Sequence, residues 1–213
     1  MAATVIIERH TGAGNGEGGT TQTDITSGTT RLKQADNGTA DANNPVPAVT
    51  TSYSYWASFR LECTVAPSNA INNLKWYSDG VAAGTGLTYS GQAANVAADE
   101  GYRQATSAII LSTGNHTGLT GAPVDVTTFT SGSPKTLAGS LGAATSTNGF
   151  GDFFVAQLAA TSAASPGTVA SRTWTFQYDE TAGENMDIRD RVRGGSFTSQ
   201  LTRIKRARCG TVR

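Results

Sequence analysis

The chain reads as an all-β protein, a β-sandwich or jelly roll of short antiparallel strands. Three observations predict this. Gly, Thr, Ser, Ala and Asn dominate, while charged residues make up only 15% of the 213-residue chain, against roughly 25% in ordinary soluble domains. A helical protein would be richer in Glu, Lys, Leu and Arg. Apolar and polar residues alternate with period two from Ser54 to Val65 and again from Ala170 to Tyr178, the signature of strands. Turn signals such as Ser78-Asp79-Gly80 and Ser165-Pro166-Gly167 separate the runs, giving about eight to ten short strands in all.

In order along the chain, residues 3–9 are β-branched and form a first strand. Residues 11–28 are Gly/Thr-rich without periodicity and read as a long loop or extended arm; Pro45 and Pro47 mark a second irregular crossing. Tyr55, Ala57, Phe59, Leu61, Cys63 and Val65 then share one face of a long strand. Ser54, Trp56, Ser58, Arg60, Glu62 and Thr64 share the other, which predicts one face on the core. Strands follow over Ile71–Tyr77, around Leu87 and Tyr89, over Ala108–Leu111 and over Val124–Thr130, with one or two helical turns at Ala93–Glu100. Asp152–Ala160 is apolar on both faces and reads as a central strand. The strand beyond Gly167 places Ala170, Trp174, Phe176 and Tyr178 on one face, with Arg172 interrupting it. Phe197, Leu201 and Ile204 suit a short amphipathic helix by their spacing; a terminal strand competes with it. The chain divides into an N-terminal strand with its arm (1–50), a sandwich body (51–188) and a basic C-terminal arm (189–213).

Charge is distributed unevenly. Residues 189–213 hold eight of the 16 bases (Arg189, Arg191, Arg193, Arg203, Lys205, Arg206, Arg208 and Arg213) against one acid, Asp190, a net of +7. Residues 1–188 carry −7. Such a split points to a partner, either an acidic protein surface or nucleic acid. Phe197, Leu201 and Ile204 interleave with the bases, so Arg189, Arg191, Arg193, Phe197, Leu201, Arg203, Ile204, Lys205, Arg206 and Arg208 form the candidate partner-binding set. The arm has little aromatic content for base stacking. An acidic neighbouring subunit is therefore the first choice of partner and DNA the second.

Catalytic and cofactor signals are thin. His10 and His116 lack a second ligand at metal spacing. Gly14, Gly16 and Gly19 satisfy G-x-G-x-x-G, but no apolar-periodic helix follows, so a loop is expected and no cofactor. Asp36 to Asp41 offers oxygen ligands without the spacing of a calcium loop, which favours an Asx-type turn. Asp179 and Glu180 are adjacent on a strand and point to opposite faces, a poor dyad for a glycan hydrolase. With Glu184 they read instead as a solvated turn or a docking site for a neighbour's basic arm. Cys63 is expected inside as a small hydrophobe. The Asn37-Gly38-Thr39 and Asn115-His116-Thr117 sequons have no meaning without secretion. No apolar run reaches the roughly 18 residues of a membrane span, and the N-terminal residues lack a secretory signal pattern.

Three stretches carry a resemblance. They are Arg31-Leu32-Lys33-Gln34-Ala35-Asp36-Asn37 with Asn44-Pro45-Val46-Pro47, then Asn73 to Gly80 containing Trp76-Tyr77-Ser78-Asp79-Gly80, then Trp174 to Glu180 ending in Tyr178-Asp179-Glu180. With Tyr53-Ser54-Tyr55 between the first two, their order resembles a group of virion structural proteins of tailed bacteriophages. The resemblance spans roughly residues 25–180 and omits the basic arm. It implies a virion component rather than an enzyme and does not say which one. The acidic body, the basic arm and the thin catalytic signals make a capsid decoration or cement protein, binding copies of itself and the major capsid protein, the preferred expectation. A tail, neck/connector or baseplate subunit is the alternative. An adhesin or carbohydrate-binding module, stacking sugars on Trp56, Trp76 and Tyr77, is a further alternative that requires those rings to be exposed.

Overall fold

The structure is a computed structural model. It describes residues 3–13, 21–65, 70–95, 101–141, 149–167, 169–181 and 202–212, the last of these as backbone. The expected all-β class is what forms. Among the described residues twelve strands run in chain order: β1 (Thr4–Thr11), β2 (Thr21–Asp24), β3 (Ser52–Tyr53), β4 (Ala57–Val65), β5 (Ile71–Ser78), β6 (Leu87–Ala94), β7 (Val124–Asp125), β8 (Lys135–Thr136), β9 (Gly149–Phe150), β10 (Phe153–Ala160), β11 (Arg172–Thr181) and β12 (Thr202–Val212). A larger antiparallel sheet has the order β2-β1-β4-β10-β6-β7, with β3 on β10 and β9 on β4; a smaller one has the order β12-β11-β5-β8.

The two sheets pack through large aromatic side chains. Trp76 of β5 stacks on Phe154 of β10 with ring centroids 3.6 Å apart, and Trp174 of β11 meets Phe59 of β4 and Tyr89 of β6 edge-on at 5.8 Å. Ile7, Leu61, Leu74, Ala156, Phe176 and Tyr178 complete this core. The period-two patterns of β4 and β11 exist to supply these rings.

The opposite face of β4 was expected to be free of the core. It is covered: Ser58 and Arg60 are as buried as Phe59. Residues 101–122 run irregularly over the outer face of the larger sheet and form a second apolar cluster of Trp56, Tyr102, Ala105, Leu111, Leu119, Phe153 and Val155. This layer explains why β10 is apolar on both faces. It also explains why Ala108–Leu111 is not the expected strand. The Gln157 side chain donates to the Ile109 carbonyl at 2.7 Å and accepts from the Leu111 N–H at 2.7 Å. One amide thereby satisfies backbone groups that a neighbouring strand would otherwise pair.

Other expectations are corrected locally. The stretch 11–28 contains β2, which pairs with β1 from Glu8↔Asp24 to Thr11↔Thr21; the glycines at 14, 16 and 19 lie outside the described residues. Ala93 and Ala94 end β6 rather than begin a helical turn, and 96–100 lie outside the described residues. Val124–Thr130 yields only two strand residues before a 3₁₀ turn at Val126–Thr128, because Asp125 caps that turn by accepting from Thr127 N–H at 2.9 Å. The turn after β5 forms as expected: Gly80 sits at φ +73°, and Asp79 accepts from the N–H groups of Val81 and Thr173. Arg172, the charged interruption of β11, donates from Nε to the Ala82 carbonyl at 3.1 Å. For the basic tail, the strand reading holds from Thr202 to Val212 and replaces the helix there.

Candidate functional site

Of the ten residues nominated for partner binding, Arg203, Ile204, Lys205, Arg206 and Arg208 lie on β12, at the edge of the smaller sheet. Arg189, Arg191, Arg193, Phe197 and Leu201 lie outside the described residues. The register sets Arg203 opposite Glu180, Ile204 opposite Asp179, Lys205 opposite Tyr178, Arg206 opposite Gln177 and Arg208 opposite Thr175. The acidic end of β11 and the basic strand are thus neighbours within one sheet. That is a local reason for their opposite signs, since like charges directly across a ladder destabilise it.

The acids of β11 already have partners. Asp179 Oδ2 accepts from Asn73 Nδ2 at 2.8 Å, and Glu180, almost fully buried, accepts from the Ala3 N–H at 3.1 Å. Glu184 lies outside the described residues. The oxygen-rich 36–41 stretch is likewise committed internally. Asp36 Oδ2 accepts from Gly12 N–H and Gln104 Nε2, both at 2.9 Å. Asn37 Oδ1 takes the Thr39 N–H, the Asx turn expected there. Lys33 Nζ donates to Asp41 Oδ1 at 2.8 Å, and that hydrogen bond leads the effects that lower the Asp41 carboxyl pKa. Among the described residues no group of three or more His, Cys, Asp or Glu is arranged to hold a metal ion.

The rings offered for sugar stacking are buried: Trp56 is 5% exposed, Trp76 0% and Tyr77 9%. Trp56 also donates its indole N–H to the Arg103 carbonyl at 2.7 Å. None of the three presents a face to a ligand, which removes the basis of the carbohydrate-binding reading. Cys63 is fully buried as expected, its thiol 3.0 Å from the Val65 carbonyl, and burial pushes its pKa up.

A feature the sequence reading missed is an ionic cluster between β1 and β4. Glu8 stands opposite Arg60 and Ile6 opposite Glu62 in the ladder. Glu8 Oε2 lies 3.2 Å from His10 Nε2 and 3.3 Å from Arg60 Nε, and all three side chains are buried. The Arg60 guanidinium lies 3.7 Å from the Phe150 ring centroid and 5.1 Å from that of Phe153, a cation–π arrangement. Burial works against ionisation of Glu8. Hydrogen bonds from His10 and Glu62 and the charges of His10 and Arg60 outweigh it and hold the carboxyl at about 2. Burial first, then Glu8 itself, push Glu62 up to about 7, Arg60 opposing. The two carboxyls are thus pushed in opposite directions, Glu8 towards the ionised form and Glu62 towards the protonated one. The signal was present in the sequence: Glu8 and His10, and Arg60 and Glu62, are i, i+2 pairs on one face of each strand.

His116 is a further buried titratable group. Its ring packs on Trp56 at 5.7 Å, and neither ring nitrogen has a hydrogen-bond partner among the described residues. Burial, reinforced by the Arg103 charge, pulls it down to about 4. These shifts have opposite consequences for stability. A raised carboxyl such as Glu62 contributes fully below the unfolded value of 4.5, and the contribution is lost as pH rises through about 7. A depressed histidine contributes above 6.5, and that contribution is lost as pH falls through about 4. Between pH 4.5 and 6.5 the two slopes oppose each other. The Glu62→Gln variant is expected to show a melting temperature that climbs with pH across this window. His116→Phe is expected to show one that declines. Melts by circular dichroism at half-unit pH steps check this, and profiles parallel to the parent's would refute it.

A cleft of about 490 Å³ is lined by Leu32, Val46, Val49, Leu87, Leu158 and Val169 among others. No helix among the described residues is long and apolar enough to cross a membrane. No family model, curated protein or solved structure matches the chain.

Proposed function

We propose that this protein is a non-enzymatic structural component of a tailed-phage particle, a decoration or cement protein of the capsid. On this reading it resides in the virion and binds copies of itself and the major capsid protein. The observation that carries the reading is how the three motifs of the resemblance sit in the fold. In the first, Lys33 accepts at its carbonyl from Tyr55 N–H at 2.9 Å, Gln34 N–H donates to Asn44 at 2.8 Å, and Gln34 Nε2 donates to Tyr53 at 3.0 Å. The second and third motifs are adjacent strands, with Ser78 opposite Trp174 and Trp76 opposite Phe176.

The second and third motifs therefore hold the smaller sheet together. The first ties the 31–47 segment to the chain at 53–55 and lines part of the cleft. Motifs that build framework suit a protein whose work is to present surface. A cement protein needs area, complementary charge and many weak contacts that gain from avidity. The separation of −7 and +7 within one chain supports head-to-tail association. A tail, neck/connector or baseplate subunit shares the same physical requirements.

The test is occupancy. Reversing Arg203, Lys205, Arg206 and Arg208 to Glu in the full chain is expected to remove the protein from assembled particles. Counting copies on separated heads and tails by quantitative mass spectrometry checks it. Hundreds of copies on heads support decoration; six or twelve on tails or necks support the connector alternative. Full occupancy by the charge-reversed protein, or absence of the parent from particles, would overturn the reading. Deleting 189–213 is the poorer experiment, because it strips β12 from β11 and uncovers the sheet that carries Trp174.

A further inference from the structure

We infer that the outer edge of β12 is an addition site for an acidic, extended segment of another polypeptide chain. The first ground is the treatment of sheet edges. The larger sheet ends in β2, of four residues, and β7, of two; the smaller sheet ends on one side in β8, of two residues. Beyond β8, the open side of β5 is bonded by the 129–141 segment, through Ser78 N–H to Phe129, Leu137 N–H to Leu74, and both Leu141 N–H and Ser140 Oγ to Ile71. Short or covered edges are how proteins avoid unwanted pairing. The fourth edge differs: β12 is eleven residues long, and no described strand pairs with its outer side.

The second ground is charge. Thr202–Val212 contains Arg203, Lys205, Arg206 and Arg208 and no acid. Two copies of β12 laid edge to edge would bring together two strands that each carry four bases and no acid, and like charges across a ladder repel, so the edge selects against itself. A segment carrying acids is attracted instead. The bases occupy both odd and even positions, so an acidic strand meets one in nearly any register. A nucleic acid is the weaker fit. A strand edge presents alternating N–H and C=O groups, and a phosphate backbone offers acceptors only, leaving the carbonyls unsatisfied. A second extended peptide satisfies both.

This inference rests on the assembly reading above for its setting, but its test needs no particle. The probe is a capped ten-residue peptide of Thr and Val with four Glu, added to the full chain and followed by fluorescence anisotropy at low and moderate salt. Two controls accompany it: the same peptide interrupted by prolines, which keeps the charge but cannot pair, and its Glu→Lys analogue. Expected are binding of the acidic peptide, slowed amide exchange within 202–212, at least tenfold weaker binding of the proline peptide, and none of the lysine peptide. The Arg206→Glu/Arg208→Glu variant, with an unchanged circular dichroism spectrum, is expected to lose the preference for the acidic peptide over the lysine peptide. If that variant does not fold, the comparison of the three peptides on the parent protein decides. Equal binding of the proline peptide, self-pairing through β12, or binding of a DNA duplex in preference to the peptide would each overturn the inference. Particles that carry the protein although no peptide binds would leave the assembly reading standing and remove this one.

Discussion

Replacing Glu8 with leucine is expected to destabilise the fold by about 3–5 kcal/mol, the usual cost of removing one partner from a buried ion pair. Arg60 is 1% exposed and directs its Nε at the Glu8 carboxylate. Its guanidinium would stay in a site walled by Phe150 and Phe153 without that counter-charge. The double variant Glu8→Leu/Arg60→Met removes both charges and keeps much of the volume, and such replacements are often neutral or stabilising. Urea denaturation at pH 7 measures both. A double variant as unstable as the single one would show that the cost lies in packing around β1 rather than in the uncompensated charge.

Trp76→Ala is expected to cost a similar amount, about 3–5 kcal/mol, by a different route. Trp76 is completely buried. It stacks on Phe154 and meets Trp174 and Phe129 edge-on, so it joins the two sheets at the middle of the core. Its indole N–H has no hydrogen-bond partner among the described residues, so truncation removes packing and leaves no stranded acceptor. In a domain of this size the loss corresponds to a melting temperature lower by roughly 10 °C. Trp76→Phe retains the stacking partner for Phe154 and is expected to lose less than half as much. A Trp76→Ala protein that melts within a degree or two of the parent would mean that the sheets are held together elsewhere.

The strands legible in the sequence were those whose alternation supplies the inter-sheet core: β4 from Phe59, Leu61 and Cys63, and β11 from Trp174, Phe176 and Tyr178. β10 was legible because both its faces are covered. What lies over its outer face was not, because residues 101–122 reach it as irregular chain with no period. The false strand at Ala108–Leu111 shows the limit well. Its apolar residues are suited to a strand, yet its backbone is bonded by side chains, Asn115 at Ile110 and Gln157, 46 residues from Leu111, at Ile109 and Leu111. The basic tail was legible as charge but ambiguous as structure. Spacing at Phe197, Leu201 and Ile204 favoured a helix, and only the long-range pairing with β11 makes a strand of Thr202–Val212. The Glu8–Arg60 cluster escaped notice because charged residues on a strand read as solvent-facing until a third layer is known to cover them.

The order of strands also sets when the protein can fold. β10 lies between β4 and β6, with Phe154 opposite both Phe59 and Ala93. The larger sheet is therefore split until residue 160 has been made. β5 waits longer, because its inner neighbour β11 arrives about a hundred residues later, Trp76 opposite Phe176. Pairings this distant in sequence place the chain among slow folders, on the scale of milliseconds to seconds or longer. During synthesis the early strands leave the ribosome with their pairing sides open, at the stage when aggregation competes with folding. A low content of large aliphatic side chains and a wealth of Thr, Ser and Gly make that interval safer, so the composition that identifies the fold also protects the nascent chain while it waits for its central strand.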